Sequence, residues 1–231
     1  MSSSGSPTMR SQTLGRALDA LQVLADGRPR SSHELAEALS IPRSNVYRIL
    51  RTFEDYAFVT RTTDGRYTIG LGLAAFADAG LREGEVRIEE VLTELANETS
   101  STAILCIPQR DDVVVLSSVR PAAYSASVAI RRGTRLPAAD GAPGMAILSL
   151  GPAEPYEADE ITLARSRGVV HTKGSPFLGF ESVASPVRIR DGQLASVAIV
   201  FPHATRPLAD SVEALLRAVQ RLGRTFDVWT D

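Results

Sequence analysis

Between Pro42 and Phe53 the chain reads "PRSNVYRILRTF". The groups able to do chemistry there are cationic or hydrogen-bonding: Arg43, Ser44, Asn45, Tyr47, Arg48 and Arg51. A guanidinium can grip a guanine edge or a phosphate with two parallel bonds. An asparagine amide matches adenine, and Ser or Tyr hydroxyls hold phosphates or base edges. At 100° per residue, Ser44, Tyr47, Arg48 and Arg51 fall on one side of a helix, and Val46, Ile49, Leu50 and Phe53 fall on the other. The apolar stripe is a core face. The opposite stripe suits duplex DNA, with a merely solvated helix face as the bland alternative.

The surrounding elements decide between the two. Ser11 is a good N-cap for "QTLGRALDALQVLADG", which places Leu14, Leu18, Leu21 and Ala25 on one face and stops at Gly27. Ser31 or Ser32 caps a second, shorter helix, with Glu34 set for a capping box and Leu35, Ala36 and Leu39 inward. Pro42 sits just before or at the first turn of the third helix, which runs to about Tyr56. In "FVTRTTDGRYTIG" an Asp64-Gly65 turn between β-formers predicts a hairpin, flanked by Arg61 and Arg66 placed for phosphates or the minor groove. Three helices and a hairpin make a winged helix-turn-helix, mostly α with a β wing, whose third helix enters the major groove.

Catalytic alternatives are thin. The three histidines, His33, His171 and His203, read as surface groups, and no metal-ligand spacing, phosphate loop or nucleophile elbow is present. A Cys106–His171 pair is the sole nucleophilic combination, and the apolar "ILCIP" makes Cys106 a buried small hydrophobe instead. No enzyme, metal or cofactor is expected.

Composition fits this outline. The 231 residues are 44% hydrophobic and 23% charged, ordinary for a globular chain and enough for two domains. The net charge is −2, but residues 1–75 carry +2 and the remainder −4, a mild asymmetry that does not by itself identify a nucleic-acid partner. One cysteine excludes an internal disulfide. Without an apolar run of roughly 20 residues or a signal-peptide core, a cytoplasmic protein with no membrane association is expected.

Residues 32–73, "SHELAEALSIPRSNVYRILRTFEDYAFVTRTTDGRYTIGLGL", resemble the DNA-binding domain of IclR-type bacterial transcriptional regulators. Leu35, Ala36, Val46, Arg48, Thr52, Glu54, Val59, Gly65, Arg66, Tyr67, Gly70 and Leu73 are in register with that pattern. The resemblance continues more loosely through "GTRLPAADGAPGMAIL" and "ESVASPVRIRDGQLASVAIVFP". There are departures. Ala57 stands where the family ends the third helix with Gly, so a differently shaped turn is expected, and 151–168 looks shorter than in relatives.

Read on its own, the second half alternates strands and helices: a helix over 82–99, a hairpin through Arg110-Asp111-Asp112, a strand in "SASVAIRRG", helices in "GAPGMAILSL" and "EADEITLARSRG", a hairpin at Asp191-Gly192, and a closing helix. This predicts an α+β domain with an antiparallel sheet, which the resemblance makes GAF-like. The expected organisation is a disordered tail at 1–10, a winged helix-turn-helix at 11–70, a linker helix at 71–81 and an effector domain at 82–231. The resemblance implies an effector lining of Ser125, Val128, Ala142, Pro143, Thr172, Phe180, Ser182, Ala198 and Val200. Relatives that bind small carboxylates carry a Cys at position 182, an Asp near 172 and serines at 198 and 200, so this chain has hydrocarbon where they have hydroxyls. A polar ligand buried without partners loses on the order of 1–3 kcal/mol per unmatched group. A small, rather apolar or aromatic effector is therefore expected, or a pocket filled by its own side chains.

The whole describes a DNA-binding transcriptional regulator, with repression the expected direction. It would act as a homodimer or tetramer on a pseudo-palindromic operator in double-stranded DNA, with copies meeting through the first helix and the linker. The alternative is a ligand-sensing or interaction protein with a residual wing domain.

Overall fold

The computed structural model describes residues 11–81, 84–123, 127–189, 192–203 and 208–227. The expected tail at 1–10 and the expected lining residue Ser125 lie outside them. The chain divides into two compact units, Met1–Leu81 and Arg82–Asp231. No helix among the described residues is long and apolar enough to cross a membrane.

In the first unit, α1 (Gln12–Leu24) starts where Ser11 Oγ accepts the Leu14 N–H. Ser31 caps α2 (Ser32–Leu39) through a complete capping box with Glu34. Ser40 turns left-handed (φ 52°) to end α2, and Pro42 is the N-cap of α3 (Arg43–Asp55). Strands β1 (Val59–Arg61) and β2 (Tyr67–Ile69) pair antiparallel as the wing, and α4 (Gly72–Leu81) closes the unit. The core gathers Leu24, Leu35, Val46, Leu50, Phe53, Val59 and Tyr67. Each such side chain stabilises the unit by roughly 1.5–3 kcal/mol when fully buried.

Two expectations change here. The inward stripe of α1 keeps only Leu21 of the expected four, packed against the core: Leu14 is 60% exposed, Leu18 47% and Ala25 exposed, while Ala20 and Leu24 are fully buried. The small Ala17 and Ala20 face the core instead, because a short side chain lets α1 approach its neighbours closely. Ala57 keeps a left-handed backbone (φ 55°) without being glycine. Its carbonyl is pinned by Gly72 N–H at 2.9 Å, and Gly70 N–H donates to Phe58 O at 2.8 Å. A Cβ at Gly70 would stand 2.3 Å from the Ala57 carbonyl oxygen, so the turn is closed by glycine at 70 and 72 rather than at 57.

The second unit is a six-stranded antiparallel sheet in the order β5-β4-β3-β8-β7-β6. Its strands are β3 (Thr102–Gln109), β4 (Asp112–Val119), β5 (Arg135–Pro137), β6 (Val170–Lys173), β7 (Phe180–Ile189) and β8 (Gln193–Pro202). Helices α5 (Gly84–Thr99) and α8 (Leu208–Asp227) bury Ile88, Leu92, Leu95, Leu215 and Leu222 against one face, over Leu105, Val183, Val197 and Ile199. On the other face α6 (Ala142–Leu148) and α7 (Asp159–Arg167) cover Ile104, Cys106, Val115, Ala184, Ala198 and Val200. Neighbouring residues of β8 thus serve opposite cores, which is why both of its faces are apolar.

The strand expected in "SASVAIRRG" is absent from its described part: residues 127–133 form no strand. Their backbone is used otherwise. Val128 O accepts the Thr102 hydroxyl at 2.7 Å, and Gly133 N–H donates to Val115 O at 2.8 Å. The edge partner of β4 is the three-residue β5.

The left-handed Ala57 costs roughly 1–2 kcal/mol, and glycine there would cost roughly 0.5–1 kcal/mol in chain entropy. Ala57→Gly should therefore raise the urea midpoint of the full chain, corresponding to about 0.5–1 kcal/mol. Gly70→Ala should lower it.

Candidate nucleic-acid interface and effector face

The core of the first unit fixes the rotation of α3. Val46 and Leu50 are fully buried and Phe53 nearly so, with Ile49 half-buried beside them. The opposite side is open: Arg43, Ser44, Arg48 and Arg51 are exposed, Tyr47 is 57% exposed and Asn45 is half-buried. All six expected α3 residues thus lie on one helix, five of them exposed and Asn45 half-buried. Their donors are partly arranged beforehand. Arg48 Nη2 donates to Asn45 Oδ1 at 2.6 Å, and Arg43 Nε donates to Ser32 Oγ at 3.1 Å. Asn45, expected as a reader of adenine, spends its carbonyl oxygen holding the Arg48 guanidinium.

The wing separates its two arginines. Arg61 is exposed, its guanidinium 5.8 Å from the centre of the Tyr67 ring. Arg66 instead turns back to α2, donating from Nη1 to both Glu34 carboxylate oxygens at 3.0 Å. Glu34 also accepts the Ser31 N–H at 2.6 Å. One carboxylate therefore caps α2 and ties the wing to it. These bonds, first that from the Ser31 backbone and then those from the Ser31 hydroxyl and Arg66, hold its carboxyl down to about 2. The wing is fastened a second time where Arg30 and Tyr67 exchange backbone bonds of 2.9 and 2.7 Å. The capping box was visible in the sequence; the tie from Glu34 to Arg66 was not, because the partners are 32 residues apart.

On the effector face, Ala142, Pro143, Ser182, Ala198 and Val200 are buried, and Val128, Thr172 and Phe180 are half-buried. The register sets Thr172, Ser182, Val200 and Thr102 in one row across four strands. Ser182 is on the α6 side with Ala184, and Ala198 and Val200 pack in the same cluster. Thr172 Oγ1 accepts from Ala142 N at 3.2 Å and donates to Ser175 O at 3.0 Å. Ser196 Oγ anchors the start of α6 through Pro143 O at 2.8 Å.

Of the histidines expected at the surface, His33 and His203 are exposed and His171 is half-buried. His171 Nε2 and His203 Nδ1 each lie 2.6 Å from an oxygen of the buried Glu181. Glu181 pairs in register with Phe201, on the α5/α8 face. Cys106 belongs to the opposite core, and burial pushes its thiol up to about 12. His171 and Cys106 are therefore not brought together.

The IclR helix-turn-helix domain model matches residues 13–63, which takes in α1, α2, α3 and β1. The first unit therefore carries a helix-turn-helix of the IclR type. The HTH-type transcriptional regulator KipR of Bacillus subtilis (strain 168) is 22% identical over 151 residues, 64% of this chain and 60% of KipR; the match spans less than two thirds of that relative's length. An IclR-type transcriptional regulator from Alicyclobacillus acidocaldarius shares the fold at a TM-score of 0.79 and 21% identity, covering 96% of this chain and all of that one. An IclR homologue from Microbacterium hydrocarbonoxydans, solved in complex with 4-hydroxybenzoate, has a TM-score of 0.73 and 18% identity, with 94% of this chain and 100% of that chain covered. The shared fold includes the second unit, where the resemblance in sequence is loose.

A carboxyl held near 2 in the folded state and near its ordinary 4.5 when unfolded contributes stability that is complete above 4.5 and disappears as the pH falls toward 2. Glu34→Gln should therefore flatten the decline in melting temperature of the full chain between pH 4.5 and 2. Asp26, held down to about 2 by Arg30, and Glu157, held down to about 2 by Arg165, keep part of the decline in place. An identical slope in circular-dichroism melts of the two proteins would remove Glu34 from the account.

Proposed function

We propose that this chain is an IclR-type, sequence-specific DNA-binding transcriptional regulator working in the cytoplasm. It acts as a homodimer on a pseudo-palindromic operator, and its second unit senses a small, rather apolar or aromatic effector. One observation carries the reading: α3 buries Val46, Leu50 and Phe53 and leaves Ser44, Tyr47, Arg48 and Arg51 bare.

The roles follow from chemistry. Arg48, buttressed by Asn45, reads a base edge, and Arg43, steadied by Ser32, is placed at the start of the helix that enters the groove. Arg51, Ser44 and Tyr47 complete the face with phosphate and base-edge bonds. On the wing Arg61 meets backbone phosphate, whereas Arg66 acts chiefly as the tie to Glu34. The homodimer is supported by apolar side chains left open in the first unit: Leu14 and Leu18 on α1, Leu71 before α4 and Phe76 within it. An aromatic effector is supported by the apolar α6 face and by the 4-hydroxybenzoate held in the Microbacterium relative.

Fluorescence polarisation on a genomically selected operator tests this. Arg48→Ala should weaken specific binding by roughly 1–3 kcal/mol, and Asn45→Ala should weaken it less. Arg61→Ala should lower the slope of log affinity against log salt by about one. Arg66→Ala should leave that slope nearly unchanged and lower the melting temperature. Equal affinity of wild type and R48A for the operator would refute the assignment.

A further inference from the structure

The end of α3 and the start of α4 are joined more tightly than chain connectivity requires. Phe58 N–H closes onto Phe53 O at 2.8 Å, Gly70 N–H onto Phe58 O at 2.8 Å and Gly72 N–H onto Ala57 O at 2.9 Å. A Cβ at Gly72 would stand 2.6 Å from the Tyr56 carbonyl oxygen and 2.8 Å from that of Ala57, closer than a side-chain carbon comes to such atoms. Glycine alone lets the first residue of α4 lie flat on the turn that ends α3.

One turn further along α4, Phe76 sets its ring edge-on against Phe58, with centroids 5.1 Å apart and planes at 84°. Phe58 in turn lies 6.1 Å from the Phe53 ring and 5.8 Å from that of Tyr56. Phe53 belongs to the buried stripe that fixes the rotation of α3. Attachment at both 72 and 76 holds the direction of α4 as well as its position, because the two points are separated along the helix axis.

The same segment carries side chains that the proposed homodimer would use. Leu71 is 90% exposed, and Phe76 is still 64% exposed while it holds Phe58. The contact between copies and the helix that reads DNA are thus linked through one stiff joint. A dimer engages two half-sites together only where the separation and phase of its two reading helices match those of the DNA. A slack linker absorbs an error in spacing, whereas a stiff one turns it into lost affinity.

We infer that the joint made by Gly70, Gly72, Phe58 and Phe76 is a specificity determinant. It fixes the angle between α4 and α3, so that the protein distinguishes operators by the spacing of their half-sites. This rests on the dimeric regulator reading and adds to it a selectivity that touches no base.

The test is fluorescence polarisation of the full chain on the selected operator and on versions with two base pairs inserted or removed between the half-sites, a phase error of about a fifth of a turn. Wild type should bind the natural spacing about tenfold or more tightly than either altered site. Gly72→Ala, which forces the joint apart, should shrink that ratio to about threefold or less. Phe58→Leu, which keeps an apolar filling but removes the ring contact, should shrink it as well, and it decides alone if G72A does not fold. Phe76→Tyr, whose hydroxyl reaches solvent from an exposed position, should keep the wild-type ratio. A merely structural role would weaken binding to all three sites alike, so an unchanged ratio in folded G72A or in F58L overturns the inference. It is also overturned if F76Y loses discrimination as fully as those variants, or if wild type binds all three spacings equally. Failure of wild type to prefer the operator over random DNA overturns the regulator reading instead.

Discussion

The rotation of α3 about its own axis governs what the first unit can do. A helix on a small core has one turn of freedom to settle, and Val46, Leu50 and Phe53 settle it by being buried together. Their combined burial is worth several kcal/mol, by the usual roughly 1.5–3 kcal/mol for each large apolar side chain. The surface pairs around them, such as Arg48 with Asn45 or Arg66 with Glu34, are screened by solvent and contribute far less. Packing therefore decides which residues face outward, and the polar bonds only refine where their tips are held. A polar substitution at Leu50 would disturb the arginine surface more than the loss of any one of its hydrogen bonds.

Local signals carried most of what could be read from the residues. The Ser31 capping box, Pro42 at the head of α3 and the Asp64-Gly65 turn each act within a few positions, so they are legible without the fold. The phase of α1 was not legible in this way. Leucine periodicity favours Leu14 and Leu18, but the neighbouring helices approach where Ala17 and Ala20 allow it, and that choice belongs to the assembled core. The "SASVAIRRG" stretch alternates like a strand, yet in its described part the backbone goes to the Thr102 hydroxyl and to Val115 instead. Ala57 shows a third kind of miss: two glycines further along close a turn for which sequence pattern asks glycine at its centre.

The two faces of the large sheet treat polar groups in opposite ways. Toward α5 and α8 the buried carboxylate of Glu181 is met on both oxygens by histidines. Toward α6 the hydroxyls of Thr102, Thr172 and Ser196 are spent on backbone carbonyls, while those of Ser127 and Ser182 are not. Residue identities alone suggested a hydrocarbon-rich lining; which hydroxyls remain open depends on partners brought together from β3, β6 and β7.

The double fastening of the wing has a thermodynamic consequence. With Arg30 paired to Tyr67 and Arg66 locked to Glu34, the hairpin travels as one body with the three helices. Little internal freedom remains to be surrendered on docking, so the ordering entropy that flexible recognition arms forfeit is largely settled during folding.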